Sequence, residues 1–162
     1  MPMTKANKRL GEMLIERQLI TLTQLDMALR SQRISGRFLG TILVELKLIT
    51  AQELLQALSV QFGMPYEVVD EQHVDWVLAR KFPASLLNEG RAFPLREDLA
   101  TITVAVINPL DAETLSRFEK FIGIRKLVPV LALETELQQL VQAYQRRTLQ
   151  TLSDHLDDHG KH

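Results

Sequence analysis

Residues 9–32 read RLGEMLIERQLITLTQLDMALRSQ, and residues 38–61 read FLGTILVELKLITAQELLQALSVQ. At an offset of 29 the two stretches share eleven identities in 24 positions: Leu10/Leu39, Gly11/Gly40, Leu14/Leu43, Glu16/Glu45, Leu19/Leu48, Ile20/Ile49, Thr21/Thr50, Leu25/Leu54, Ala28/Ala57, Leu29/Leu58 and Gln32/Gln61. A tandem duplication of this size predicts one small supersecondary unit made twice. Two such copies build a nearly two-fold surface, which suits a partner that is itself two-fold.

Each copy carries two apolar stripes at helical spacing, broken in the middle. Thr21 with Gln24, and Thr50 with Glu53, have the spacing of a capping box, so each break is a helix start. The pattern predicts four short helices, roughly 6–17, 22–34, 37–46 and 51–62, with Ser35-Gly36 as the turn between copies. After Gly63-Met64-Pro65 the periods change. A helix over 73–81 carrying Trp76 is expected, with Trp76 in the core, then a short helix at 83–87. Strands are expected at 92–96 and 100–107, with a hairpin turn at Glu97-Asp98-Leu99. A helix from Asp111 to Ile122 should follow, then an edge strand 126–131 containing Pro129, since proline cannot donate to a sheet ladder. A helix from Glu134 to Arg147 closes the pattern. The fold class is therefore α+β: a four-helix tandem repeat (1–63), a small α+β subdomain with a short sheet (64–147), and a polar, frayed tail (148–162).

The chain has 162 residues, 46% hydrophobic and 24% charged, with no cysteine and a net charge of −1. That length can bury a core without staples, and the missing cysteines exclude disulfides and thiolate metal sites. Residues 1–50 hold 8 Lys/Arg against 4 Asp/Glu, so the repeats are mildly basic and suit a small anion. The basic excess is too small for a DNA footprint, and threonine-capped corners are unlike a recognition helix. No run of 18 apolar residues and no signal-peptide core is present, so we expect a cytoplasmic chain that does not insert into a membrane.

No enzyme signature is found: no phosphate loop, no GxGxxG, no serine elbow, no HExxH. Asp70, Glu71, His73 and Asp75 lie within six residues but read as a solvated loop and helix start, and no metal or cofactor is expected. Leu14, Leu43, Leu19 and Leu48 read as core. Composition places Leu10, Leu25, Leu29, Leu39, Leu54 and Leu58 there too. What resists that explanation is the polar and glycine content repeating with them. Gly11 and Gly40 fall inside helical patterns, where glycine costs about 0.5–1 kcal/mol relative to alanine. Their recurrence suggests the close approach of another backbone or a ligand. Arg9 stands near a helix N-terminus, poor for a cation on dipole grounds but good for gathering phosphate with free amides.

The doubled pattern RLGxxL…LI…L…L..Q resembles the paired motif of the MshEN domain, the cyclic di-GMP-binding member of the type II secretion ATPase N-terminal family. Phe93-Pro94-Leu95 and Ile102–Asp111 (ITVAVINPLD) are similar to that family as well, so the resemblance covers residues 8 to about 147. It implies ligand contacts at Arg9, Leu10, Gly11, Leu25, Leu29 and Gln32 in the first repeat. In the second it implies Leu39, Gly40, Leu54, Leu58 and Gln61, with Phe38 standing where the motif has arginine and Arg37 adjacent. Gln18 and Lys47 replace the glycine usual at each corner. The function so implied is a non-catalytic cyclic di-GMP sensor attached to a secretion or pilus ATPase or an inner-membrane glycosyltransferase. The alternative is a protein-docking module of such a machine without nucleotide binding.

Overall fold

The corners of the two repeats are the places where the chain most needs a special backbone. In the computed structural model, which describes residues 5–160 and the side chains of residues 10–158, Gln18 and Lys47 sit at φ +60 and +59. They are the only non-glycine positive-φ residues among those described. At the first corner the Gln18 amide donates to the Ile15 carbonyl (2.9 Å) and the Leu19 amide to the Leu14 carbonyl (3.0 Å). At the second, Lys47 donates to Val44 (3.0 Å) and Leu48 to Leu43 (3.0 Å). This pair of bonds, six-to-one and five-to-two, satisfies the carbonyls orphaned at a helix end and fixes a left-handed residue there. Glycine would suit that position best, which explains the motif's usual residue.

The corners join α1 (Lys5–Glu16) to α2 (Leu22–Ser35), and α3 (Leu39–Glu45) to α4 (Ala51–Phe62). Both capping boxes form. Thr21 Oγ1 accepts from the Gln24 amide (3.2 Å) and Gln24 Oε1 from the Thr21 amide (2.9 Å); Thr50 and Glu53 do the same at 3.1 Å each. Gly36 and Gly63 close α2 and α4 in the left-handed region. Helix α1 packs on α4 and α2 on α3. Exchanging the repeats maps one of these pairs onto the other, so the unit has an approximate two-fold arrangement. Burial follows the same exchange. Leu10/Leu39, Leu14/Leu43, Ile20/Ile49, Leu25/Leu54 and Ala28/Ala57 are all buried, with Leu14, Leu43, Ala28 and Ala57 at 0% exposure.

The chain divides into two compact units between Tyr66 and Glu67. The second holds a 3₁₀ turn (Glu71–His73), α5 (Trp76–Ala79), α6 (Ala84–Asn88), β1 (Ala92–Glu97), β2 (Thr101–Val106), α7 (Ala112–Glu119), β3 (Lys126–Leu131) and α8 (Glu134–His159). The sheet order is β1-β2-β3, with β1–β2 antiparallel and β2–β3 parallel. Helix α7 is thus the crossover of a βαβ unit, and Pro129 lies on an edge strand as expected. The ladder β1–β2 shifts register between Pro94 and Arg96. Phe93, Leu95, Ile102, Phe118, Leu131, Leu137 and Leu140 form its core, each at 0% exposure.

Several expected boundaries are corrected. The stretch 73–81 is not one helix. Asp70 caps the 3₁₀ turn and Asp75 Oδ1 accepts from the Val77 and Leu78 amides, so each aspartate starts its own short element. Trp76 is half-buried rather than core, with Arg147 stacked 4.3 Å from its ring centre and Phe93 edge-on. Helix α3 begins at Leu39 rather than 37, and α7 stops at Glu119 rather than Ile122. The hairpin turns on Asp98, which accepts from the Ala100 and Thr101 amides. Helix α8 does not end at Arg147 and fray; it continues to His159, with Thr148 and Thr151 hydroxyls donating to carbonyls one turn earlier.

Candidate functional site

The repeated residues fall into three layers of the helical unit. Leu10, Gly11 and Leu25, with their equivalents Leu39, Gly40 and Leu54, are buried. Leu29 and Gln32, with Leu58 and Gln61, are half-buried, one turn further along the same faces of α2 and α4. Arg37 and Phe38 are exposed. The Arg9 side chain lies outside the described residues. The candidate site residues therefore share one unit, but four of the six leucines are core, and Leu29 and Leu58 are the two that reach the surface.

The glycines have a reason different from the one their recurrence suggests. A Cβ on Gly11 would stand 2.8 Å from Leu25 Cδ2, and one on Gly40 would stand 2.5 Å from Leu54 Cδ1. What approaches each glycine is the leucine of the following helix in its own repeat. Glycine lets that leucine lie against the helix backbone, which draws the two helices of a repeat together and sets where Leu29 and Leu58 emerge.

Polar groups then build the rim. Gln32 Nε2 donates to the Arg37 carbonyl (3.0 Å), tying the end of α2 to the segment that enters α3. Arg37 donates both terminal guanidinium nitrogens to the two carboxylate oxygens of Glu45, at 2.6 Å each. Those hydrogen bonds hold the Glu45 carboxyl below its usual range. Phe38 is the N-cap of α3 with no side-chain capping bond, and it is 42% exposed. Its equivalent, Arg9, lies within α1, whose backbone is helical from Lys5. Along α1 and α4, Glu12, Met13, Glu16, Val60 and Gln61 line a cavity of about 280 Å³. Pockets enclosing a whole small molecule run from ~300 to 1,000 Å³, so this one would receive only part of a ligand.

Sequence reasoning missed Glu45, Glu12, Met13, Glu16 and Val60 as neighbours of the candidate site. A signal for Glu45 existed: Glu16/Glu45 is one of the eleven identities, and Lys8 and Arg37 are cations at matched positions. The four acidic and histidine candidates of residues 70–75 are otherwise engaged. Asp70 caps the 3₁₀ turn and contacts His73 Nδ1 (2.8 Å), Glu71 pairs with Arg146 (2.6 Å), and Asp75 caps α5. Among the described residues no group of three His, Asp or Glu is placed to hold a metal ion, and no helix is long and apolar enough to cross a membrane.

The MshEN domain model matches residues 62–151, more than half of the chain. The unit from Glu67 onward, with its βαβ arrangement, is therefore of the MshEN class. The chain belongs to the MshEN domain family. It is 33% identical over 134 residues to bacteriophage adsorption protein B of Escherichia coli K12, covering 83% of this chain and 18% of that protein. It is 30% identical over 124 residues to the type IV pilus assembly ATPase PilB of Thermus thermophilus, covering 75% of this chain and 14% of that protein. The chain thus spans less than a fifth of either relative. A solved structure of MshE with cdg superposes with a TM-score of 0.66 at 28% identity, covering 84% of this chain and 98% of that one. The family model lies almost wholly in the second unit, but a coverage of 84% is more than that unit contains, so the structural likeness reaches into the repeats.

Proposed function

We propose that this chain is a cyclic di-GMP receptor domain that performs no chemistry itself and reports second-messenger level to an attached or partner machine. The observation carrying this reading is the doubled motif, matched in both sequence and burial at an offset of 29, in a chain similar to MshE with cdg. A ligand with two guanines in a fixed two-fold relation can offer each repeat the same group. Leu29 and Leu58 are the apolar cover for the bases, and Gln32, Gln61, Arg9 and Arg37 are the polar and cationic groups for edges and phosphates. Leu10, Gly11, Leu25, Leu39, Gly40 and Leu54 act from beneath, by setting the shape of the face. Phe38 occupies the place of a cation in the second half.

The machine is one of the kinds the family implies, a pilus or secretion ATPase or an inner-membrane glycosyltransferase, and the similarity to a pilus assembly ATPase supports the first. The mildly basic repeat region fits a cytoplasmic anion. Titration calorimetry with cyclic di-GMP, GTP and ATP tests the reading. Cyclic di-GMP should bind, with GTP and ATP far weaker; equal binding of GTP, or no binding of cyclic di-GMP, overturns it.

A further inference from the structure

The second repeat keeps its one near-motif cation occupied. Arg37 is the charged residue beside Phe38, and its guanidinium is clamped fork-to-fork on Glu45 by two 2.6 Å bonds, eight residues along the chain. The clamp is preset from the backbone side: Gln32 Nε2 holds the Arg37 carbonyl at 3.0 Å, and the Arg37 amide donates to Ser35 Oγ at 3.3 Å. Both members stand in solvent, with side-chain exposures of 40% and 48%. An ion pair of that exposure is nearly balanced against hydration and contributes little to folding. It does, however, satisfy the planar fork that guanidinium offers equally to carboxylates and phosphates.

We infer that Glu45 is an internal competitor for the ligand's phosphate: it holds Arg37 in the ligand-free domain and is displaced when the anion arrives. This rests on the cyclic di-GMP reading above and assigns a role to a residue the motif does not include. The pairing has a sequence echo in the first repeat, where Glu16 matches Glu45 and Lys8 matches Arg37. A carboxylate at the end of the first helix of each repeat thus accompanies a cation just before the motif. Any anion that takes Arg37 must first break the two-bond fork. A ligand anchored by two bases elsewhere on the face can do so at small cost. Glu45 then sets the affinity of the face for its anion.

The test is calorimetric titration of the chain with cyclic di-GMP, comparing wild type, Glu45→Gln, Arg37→Gln and the double variant. Ligand-free melting confirms that each is folded, and Glu45→Ala replaces Glu45→Gln if the latter is not. Glu45→Gln should tighten binding about three- to fivefold, the range an exposed ion pair allows, and steepen its dependence on salt. Arg37→Gln should weaken binding, and the double variant should match Arg37→Gln, because the gain exists only through Arg37. Unchanged or weaker binding by Glu45→Gln, or the same gain with Arg37 absent, would overturn the competition while leaving the receptor reading intact. No binding by any variant, wild type included, would overturn both.

Discussion

The two repeats differ far less in what they bury than in how they begin. From Leu10/Leu39 onward the corners, the caps and the burial of the shared leucine, isoleucine and alanine pairs named above coincide, down to the two left-handed corner residues and the two glycines pressed by leucines, although Leu55 is buried where its equivalent Asp26 is exposed. Before that point they part. Helix α1 already covers the five residues ahead of Leu10, whereas α3 starts at Leu39 itself, after the Gly36 turn and the extended N-cap Phe38. Duplication thus preserved the scaffold and let the rim diverge. In a two-fold receptor the core sets spacing between the two half-sites, and the entry segments set how strongly each half attracts charge.

The largest expected effect is on the shared scaffold. Leu14→Ala and Leu43→Ala each remove a fully buried side chain from an equivalent place. Each should cost about 2–5 kcal/mol, with the two values within about 1 kcal/mol of each other. Denaturant midpoints measure this, and a markedly unequal pair would break the claim that the repeats are structurally equivalent.

Next comes the rim. Phe38→Arg supplies a cation at the register where the first repeat has Arg9, and Arg37 is engaged by Glu45. A charge-assisted contact contributes about 1.5–3 kcal/mol, so binding of cyclic di-GMP should tighten by about ten- to a hundredfold and become more salt-dependent. Weaker binding would mean that Phe38 stacks on a base, and no change would place position 38 outside the site.

The glycines sharpen the comparison further. Gly40→Ala brings a Cβ to 2.5 Å from a buried leucine, tighter than the 2.8 Å at Gly11. Overpacking costs about 1–3 kcal/mol, so Gly40→Ala should lower stability by about that amount. Gly11→Ala should cost less, because its clash is milder and mid-helix alanine recovers part of the loss. Equal melting shifts would contradict this ordering. The smallest effect is at the corners. Gln18→Gly and Lys47→Gly relieve a left-handed L-residue, offset by the greater freedom of unfolded glycine, and each should stabilise by about 0.5 kcal/mol. Any destabilisation would mean that their side chains make contacts that matter.

Local chemistry made much of this legible. Threonine caps and the leucine period fixed the four helices, and Pro129 marked an edge strand, because those signals act within one turn or one ladder. The α5 region misled because Asp70 and Asp75 are both competent caps, and the hydrogen bonds decide which amides each takes. The end of α8 misled for another reason. Its residues 149–158 are almost all exposed, Leu149, Leu152 and Leu156 included, so no buried stripe announced the helix. In the candidate site, the motif named residues of one helical unit but not the depth of each. Whether Leu25 is floor and Leu29 surface depends on which helix packs across them. The pairing of Arg37 with Glu45 joins two elements eight residues apart and follows from the extended entry to α3, a feature that symmetry with α1 concealed.

The central claim is that two repeats make one site. Calorimetric titration of the wild-type chain to saturation with cyclic di-GMP reads this directly as a mole ratio. One ligand per chain, competed poorly by GTP and linear pGpG, is the result expected of a bridging dinucleotide. Two ligands per chain would mean that each repeat binds alone, and the account of a single two-fold receptor would be wrong.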